Sequence, residues 1–376
     1  PGWRAQSVRT GIYLSVELAP GEAPDARYET LLAHAALADE LGVDGILVEE
    51  AHGDPARPAP SPQTFLSALA AVTKVARLGP AGKVLPLDHP IRVAEDFAVV
   101  DLQSNGRLLF CVGAGDCPET FRAYGVPFEE RWARFEEALD LVRHAWTADA
   151  FSYGGHFYRF PVDAGLGSDG PFSPAPPPTP YTVPWKRAGQ KAHGLPVLPK
   201  PIQSPHPPIW IQGADEQAAA FAARHGFAFL PPALVSTRRA EALLSAYRRS
   251  LGEAGRDPRE VEVPLIRQVF VVEDQEAARR AEQAFKALYV RAASDGRLAR
   301  SEGRPVGEET LDWRQLRAEH VILGGVEEVA SELRSLGARL GIRWVFCQMA
   351  VSGLSPEDVA ASLRLFEGEV WSRLQG

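Results

Sequence analysis

The 376-residue chain contains only three cysteines. Three thiols cannot build a disulfide framework, and the spacing of Cys111, Cys117 and Cys347 matches no zinc signature. The nine histidines are likewise scattered without the spacing of metal ligands. Cys111 and Cys347 fall inside predicted strands, where a thiol usually acts as a small buried hydrophobe. The sequence therefore predicts neither a disulfide framework nor a metal site.

The chain also lacks an excess of positive charge, because 40 Lys and Arg residues face 48 Asp and Glu residues, for a net charge of -8. This balance argues against a general affinity for nucleic acid or for an anionic membrane surface. No basic and apolar signal stands near the first residue, and no apolar run approaches the ~18 residues that a membrane span needs. These absences predict a cytoplasmic protein without nucleic-acid or membrane partners.

Short apolar runs alternate with amphipathic helical patterns along most of the chain. Residues 106–146 show this unit most clearly, with a buried strand over 108–112, a glycine-rich turn and a long helix that opens at Pro127. Further strands are predicted over residues 11–17, 45–49, 79–85, 208–213, 227–230, 262–272 and 342–348. Strands in this number, each followed by a helix, predict an α/β fold, a (β/α)8 TIM barrel, as a single domain over residues 1–376.

The alternation breaks after Trp146. Aromatic residues alternate around Gly154 and Gly155, which predicts a β-hairpin with a two-residue turn over 151–160. Residues 161–208 then hold about fourteen prolines, too many for a helix or a central strand. An insertion of this length before the fifth strand is either a functional lid or a disordered segment. Its apolar side chains favour a lid that selects a bulky apolar substrate.

Two glycine-containing turns are candidate phosphate sites, because they follow strands at the edge where parallel-sheet proteins bind ligands. They are Gly113, Ala114 and Gly115 after the fourth strand, and Gly213, Ala214 and Asp215 after the fifth. Backbone N–H groups at such turns can hold an anion. Asp215 can instead serve as the N-cap of the next helix. Residues 290–319, further along, have a charged and irregular pattern.

Four motifs follow one another in order along nearly the whole chain outside the proline-rich insertion. They are GVDGILVEEAH at 42–52, VLPLDHPIRVAED at 84–96, the 106–146 stretch with VPFEER at 126–131, and PKPIQSPHPPIW at 199–210. Together they resemble the bacterial luciferase-like flavin-dependent monooxygenases. This resemblance implies the same barrel that the alternation predicts.

The resemblance also implies an oxidoreductase that receives reduced FMN from a separate flavin reductase. In this family the reduced flavin and dioxygen form a C4a-peroxyflavin, which attacks an organic small-molecule substrate. A sister branch uses a 5-deazaflavin for hydride transfer, and a flavin-binding barrel without turnover is a further alternative. The cofactor is expected at the carboxyl-end mouth of the barrel, and the chain is expected to form a homodimer through its second and third helices.

Several residues acquire expected roles from the resemblance. Ala81 and Gly82 align with a non-proline cis peptide beneath the flavin ring. Glu50 and His52 follow the second strand, so we expect Glu50 to contact the cofactor and His52 to be catalytic. Ala51 stands where the family commonly has its catalytic histidine, so a general acid or base is absent at that position.

Ala114 stands where luciferase carries a phosphate-binding arginine. The positive charge must then come from elsewhere, and Arg131 or Arg134 on the following helix are the candidates. A solvated helix face is an equally good interpretation of both arginines. The cofactor phosphate is therefore predicted to be shared by the turns at 113–115 and 213–215.

The remaining candidates lie in predicted strands. Gln212 precedes the second glycine-containing turn and is expected to bind the cofactor. Arg267 and Gln348 are assigned to the catalytic site, Gln348 because it ends the last strand. Arg267 interrupts an apolar strand, and a charge there needs a carboxylate or an oxyanion of the flavin or substrate as its partner.

Overall fold

The computed structural model describes residues 8–160 and 196–375. Its strands are β1 (Arg9–Leu14), β2 (Gly45–Val48), β3 (Arg77–Pro80), β4 (Lys83–Val84), β5 (Phe110–Gly113), β6 (Tyr153–Gly154), β7 (Arg159–Phe160), β8 (Ile209–Gln212), β9 (Ala228–Leu230), β10 (Pro264–Val271), β11 (Val321–Gly324) and β12 (Trp344–Gln348). Its helices are α1 (Pro24–Leu41), α2 (Pro62–Val72), α3 (Pro90–Gln103), α4 (Pro118–Ala123), α5 (Arg131–Thr147), α6 (Glu216–His225), α7 (Thr237–Glu253), α8 (Gln275–Ser294), α9 (Arg297–Glu302), α10 (Trp313–Glu319), α11 (Val326–Leu340), α12 (Pro356–Leu365) and α13 (Trp371–Gln375).

Parallel strands form the barrel that the sequence predicts. One sheet has the order β11-β10-β12-β1-β2-β3, and the other has the order β4-β5-β8-β9. A bridge between Leu78 and Leu108 joins the two sheets. The barrel strands are β1, β2, β3, β5, β8, β9, β10 and β12, and helices cover their outer side. Among the described residues no hydrogen-bonded ladder joins β9 to β10.

The interior of the barrel is filled by one cluster of buried side chains. Each barrel strand contributes to it or is followed by a contributor: Tyr13, Leu47, Ala81, Leu109, Cys111, Trp210, Ala228, Leu230, Ile266, Trp344 and Phe346. Their neighbours in sequence point outward into the core beneath the helices, as the two-residue period of strands requires. Gly11 has no side chain because a Cβ there would lie 2.5 Å from the ring of Phe346. The packed interior leaves space for a ligand at the carboxyl-end mouth.

Several predicted elements differ from the structure. The third predicted strand is two pieces, β3 and β4, and the first ends at Leu14. The hairpin of β6 and β7 is present, and the Gly155 N–H donates to the Tyr158 carbonyl (2.9 Å), so its two-residue turn lies at 156–157 and not at the two glycines. A short helix, α4, also precedes the long helix α5 in the 106–146 unit.

The prediction of irregular structure over 290–319 was wrong as well. This segment holds the end of α8, all of α9 and all of α10. Its arginines and acids form ion pairs with one another and with the barrel mouth, which is why its apolar period is weak. β11, directly after this segment, was missed with it; it pairs with the second half of β10. Of the predicted lid over 161–208, residues 161–195 lie outside the described residues.

Within the described ranges no helix is both long and apolar enough to cross a membrane. The same residues contain no group of three or more His, Cys, Asp or Glu side chains arranged to hold a metal ion.

Candidate functional site

A cavity of about 880 Å³ opens at the carboxyl ends of the barrel strands. Its size falls within the range of cofactor and substrate pockets. Tyr13, Ser15 and Glu17 reach it from β1 and the residues after it, because alternate residues of an extended chain point to the same side. Of the predicted site residues it is lined by Glu50, His52, Ala81, Gly115, Gln212 and Gln348. These six come from five different strand ends.

A chain of hydrogen bonds runs along one wall of this cavity. Lys83 Nζ lies 2.6 Å from Glu50 Oε1, and His52 Nε2 lies 2.7 Å from the same oxygen. On the other side of the imidazole, the Tyr124 hydroxyl lies 2.8 Å from His52 Nδ1. Lys83 also pairs with Asp88, at 2.5 Å, and is almost fully buried. Glu50, Lys83, His52 and Tyr124 are named the relay below.

The charge of Glu50 determines which ring nitrogen of His52 donates a hydrogen bond and which accepts one. Burial alone raises the pKa of the Glu50 carboxyl, but the Lys83 ammonium and the hydrogen bond from His52 outweigh it, so the pKa lies below its ordinary value. An ionised carboxylate only accepts hydrogen bonds, so His52 Nε2 carries a hydrogen and donates to Glu50. In the neutral imidazole Nδ1 then accepts from the Tyr124 hydroxyl. A lone pair on Nδ1 therefore lies at the cavity wall.

The corner formed by Ala81 and Gly82 differs from the prediction. The cis peptides among the described residues are Leu198–Pro199 and Ser204–Pro205, so the peptide between Ala81 and Gly82 is trans and the predicted cis bond was wrong. Gly82 makes the turn instead with φ of 100°. A Cβ on Gly82 would lie 2.0 Å from Gln212 Oε1, so the glycine also makes room for that amide. Ala81 and Gln212 both line the cavity.

A second buried ion pair, which the sequence did not reveal, lies behind the β1 wall. Glu49 accepts from the Ser15 hydroxyl (2.8 Å) and from Arg57 Nη2 (2.6 Å). Burial raises the pKa of Glu49, but Arg57 outweighs this effect and lowers the pKa overall. Burial and the nearby Glu49 both raise the pKa of the Tyr13 hydroxyl, which stays protonated. Tyr13 thus presents a neutral hydroxyl to the cavity.

The opposite wall consists of residues from α8 and α9, the region predicted to be irregular. Glu17 Oε1 accepts from Arg291 Nε (2.9 Å) and from Arg297 Nη2 (3.3 Å). Arg300 Nε lies 3.8 Å from Asp116 Oδ2, which connects α9 to the turn after β5. Local sequence spacing could not have revealed these pairs, since Glu17 lies 274 residues before Arg291.

The two glycine-containing turns are placed differently. Gly115 lines the cavity, whereas the lining includes neither Gly113 nor Ala114. Gly213, Ala214 and Asp215 are also absent from it. A Cβ on Gly213 would lie 2.2 Å from the Ala218 Cβ, so this glycine is required for the packing of α6. Asp215 accepts from the Ala218 N–H (2.8 Å) and is the N-cap of α6, as the alternative interpretation held.

Arg131 and Arg134 do not line the cavity. The Arg131 guanidinium lies over the Phe128 ring, 4.2 Å from its centroid, and Arg134 pairs with Glu130 (2.7 Å). The solvated-face interpretation fits both. A cation that the sequence did not reveal lies beside the second turn, where Arg239 Nη2 donates to the Ala214 carbonyl (2.8 Å).

Arg267 and Gln348 are separated by the strand alternation. The Gln348 amide lines the cavity and its Oε1 accepts from Gln268 Nε2 (2.8 Å). Gln268 Oε1 in turn accepts from the Tyr289 hydroxyl (2.8 Å), which holds both amides in place. Arg267 points to the other side of β10, where it contacts the residues that lead into β11. Its predicted place in the catalytic site was therefore wrong, because neighbouring residues of a strand face opposite sides.

The family model described as luciferase-like monooxygenase matches residues 8–343. A flavin-dependent trigonelline monooxygenase, oxygenase component, from Acinetobacter baylyi is 24% identical over 356 residues, with 91% of this chain and 89% of that protein covered.

Two solved structures share the fold. The monooxygenase RslO1 from Streptomyces bottropensis has a TM-score of 0.76 and 26% identity, with 96% of this chain and 98% of that chain covered. The oxygenating constituent of 3,6-diketocamphane monooxygenase from Pseudomonas putida, in complex with FMN, has a TM-score of 0.76 and 19% identity, with 98% of both chains covered.

Proposed function

Since the chain belongs to the luciferase-like monooxygenase family, we propose that it is a reduced-FMN-dependent monooxygenase acting on an organic small molecule. The observation that carries this proposal is the cavity at the barrel mouth, where the relay meets the Gly82 corner. When bound, reduced FMN would supply two electrons, so that one oxygen atom of dioxygen enters the substrate and the other is reduced to water. The chain's own residues bind and orient the flavin and the substrate, and transfer a proton to or from the reacting group.

The cavity fits an isoalloxazine ring in shape and in polar groups. Ala51, Ala81 and Ala233 give a wall of small side chains, which allows close approach of a flat ring. The amides of Gln212 and Gln348 provide donors and acceptors for its polar edge. Gln348 is fixed by Gln268, and Gln212 is adjacent to Gly82, so both are positioned before a ligand arrives.

The phosphate fits best between the turn at Gly115 and helix α9. Arg300 and Ser301 line the cavity there, and within residues 8–160 and 196–375 the one carboxylate paired with Arg300 is that of Asp116, at 3.8 Å. Arg239 lies behind α9, since a Cβ on Gly303 would lie 3.2 Å from its Nη2. We therefore assign to Arg300 the role that Arg131 or Arg134 was expected to have.

This assignment is tested by comparing FMN with riboflavin, which lacks the phosphate. Arg300→Gln should weaken FMN binding about ten- to hundredfold and leave riboflavin binding unchanged, because a charge-assisted hydrogen bond is worth roughly 1.5–3 kcal/mol. Arg249→Gln, on the exposed face of α7, is the control. Equal losses for both flavins would contradict the assignment.

His52 is the residue to which we assign proton transfer. Its Nδ1 lone pair becomes available to a reacting group when the Tyr124 hydroxyl rotates away, and Tyr124 is about half exposed. Glu50 stabilises the imidazolium that forms, while Lys83 keeps Glu50 ionised. His52 thereby takes over the acid–base function for which Ala51 has no group.

The charged walls bear on the substrate. Glu17, Arg291 and Arg297 line the same cavity, so a substrate with a polar group is accommodated there. The apolar substrate that the sequence of residues 161–208 predicts stays a prediction. Deleting residues 165–194 should change substrate binding and leave FMN affinity intact; loss of folding would show that the segment is structural.

Turnover is tested by supplying reduced FMN from an added flavin reductase and mixing the loaded protein with dioxygen. The return of oxidised-flavin absorbance should be about 10²- to 10⁴-fold slower in His52→Gln than in the wild type, which is the range that general acid–base catalysis contributes. His144→Gln, on the exposed face of α5, is the matched control. Protein that holds FMN but consumes no dioxygen with any substrate of a panel would support the non-catalytic barrel instead.

We also propose a homodimer formed through α2 and α3. Val72, the last residue of α2, and Val75, in the loop after it, are 42% and 70% exposed, and Val99 and Leu102 on α3 are 38% and 41% exposed. Such apolar side chains on adjacent helices favour an intersubunit contact. Leu102→Glu should shift the mass measured by light scattering from two chains to one, whereas Val290→Glu on α8 should not.

A further inference from the structure

A second cleft, of about 170 Å³, lies outside the barrel mouth between α7, α10, β11 and α11. Arg267 forms its floor and is 1% exposed. The cleft shares no lining residue with the cavity at the barrel mouth. A ligand bound in this cleft would therefore occupy a different site from the flavin.

Arg267 is held through one end of its guanidinium only. Nη1 donates to the carbonyls of Val235 (3.1 Å), Glu319 (2.9 Å) and His320 (3.3 Å). Nε and Nη2 are buried and have no hydrogen-bond partner in the described part of the chain. These two N–H groups form the side of the guanidinium that binds a carboxylate with two parallel hydrogen bonds.

No carboxylate pairs with Arg267 within the ranges 8–160 and 196–375. A buried cation without a partner costs several kcal/mol. Burial lowers the pKa of Arg267, although a guanidinium stays charged. The neighbouring imidazole adds no second positive charge, because burial, with Arg267 next, lowers the pKa of His320 to about 3 and keeps it neutral.

The rim of the cleft consists of longer charged side chains. Arg317 pairs with Glu332 (3.4 Å), and Arg339 pairs with Glu241 (2.7 Å). The Arg339–Glu241 pair is exposed, and such pairs contribute about 0–1 kcal/mol, whereas the Arg317–Glu332 pair is half-buried; moving the exposed pair apart costs less than leaving Arg267 without a counter-charge. Entry of a small anion past the rim is thus favourable.

We propose that this cleft is a binding site for a small carboxylate anion, held by the free Nε and Nη2 of Arg267. Of the three arginines that line it, Arg317 and Arg339 have carboxylate partners, which leaves the Arg267 guanidinium for a monovalent anion. The volume holds an anion of a few heavy atoms and not a nucleotide. The site is independent of the proposed function, because no flavin residue takes part.

The test is equilibrium dialysis of the whole protein against radiolabelled acetate at constant ionic strength with chloride. The wild type should bind one acetate per chain. Arg267→Lys, which keeps the charge but removes the paired N–H groups, should weaken binding at least tenfold, and Arg249→Lys on the exposed face of α7 should not change it. Equal binding by wild type and Arg267→Lys would overturn the proposal.

A crystal structure of the wild type grown in acetate provides a measurement that does not depend on the folding of a variant. Planar density against Nε and Nη2 supports the site, while ordered water alone at these atoms overturns it. A protein side chain at this position, from residues outside the described ranges, would overturn it too. FMN binding should be the same in wild type and Arg267→Lys, so a failure here is distinguishable from a failure of the flavin assignment.

Discussion

Replacing Gly82 by alanine separates two effects that meet at the barrel mouth. Gly82 has φ of 100°, where an L-residue pays roughly 1–3 kcal/mol. The new Cβ would also lie 2.0 Å from Oε1 and 2.8 Å from Cδ of Gln212. The Gln212 amide must therefore rotate out of its position. If this amide binds the flavin, the loss of one hydrogen bond, about 0.5–1.5 kcal/mol, weakens FMN binding about two- to tenfold.

Gly353 provides a matched control. Its φ is 97°, almost that of Gly82, but the nearest atom to a new Cβ is the Ala284 Cβ at 3.9 Å. Gly353→Ala should therefore lose a similar free energy of unfolding and keep the FMN affinity of the wild type. Urea unfolding and fluorescence titration with FMN measure the two quantities on the same samples.

A double variant closes the comparison. When Gln212→Ala is added to Gly82→Ala, the clash disappears, and the double variant should bind FMN as Gln212→Ala alone does. The reasoning is refuted if Gly82→Ala binds FMN like the wild type, or if Gly353→Ala weakens FMN binding as strongly.

Three further predictions concern buried charges. Burial raises the pKa of the Glu367 carboxyl to about 7 from 4.5, so its contribution to stability is present below pH 4.5 and lost as pH rises through 7. In urea unfolding, Glu367→Gln should therefore be more stable than the wild type by about 3 kcal/mol at pH 8 and equally stable at pH 4. Glu369→Gln is the control and should have the stability of the wild type at both pH values. Lys83→Met leaves the Glu50 carboxylate without its ammonium partner, so the free energy of unfolding should fall by about 3–5 kcal/mol at pH 8. The loss should be smaller at pH 5, where the carboxyl takes up a proton. An equal loss at pH 8 and pH 5 would count against the relay. Glu137 accepts from the N–H groups of residues 156–158, so Glu137→Gln should speed hydrogen exchange of those amides and leave α5 protected.

The barrel was predictable because its strands and helices have separate periods in the sequence. The run that became β5 and the stripe that became α5 are local signals, and local signals survive in a single sequence. α9 and α10 have only six and seven residues, too few for a helical period to show, and β11 directly after them was missed with them.

The site was predictable where residues follow strand ends, as Glu50, His52 and Gln348 do. Lys83 was missed because a lysine two residues from Ala81 has no local reason to be buried; its partner lies 33 residues earlier. Arg267 was assigned to the wrong side because sequence alone does not show which of two adjacent strand residues faces inward, and its neighbour Gln268 occupies the inner position.

The cofactor itself provides the most direct measurement of the central claim. The protein is titrated anaerobically with reduced FMN and, separately, with a reduced 5-deazaflavin cofactor, and each complex is then mixed with dioxygen. The account predicts one reduced FMN per chain, tighter binding of FMN than of the deazaflavin, and consumption of dioxygen by the FMN complex. Preferential binding of the deazaflavin, with no reaction with dioxygen, would contradict it.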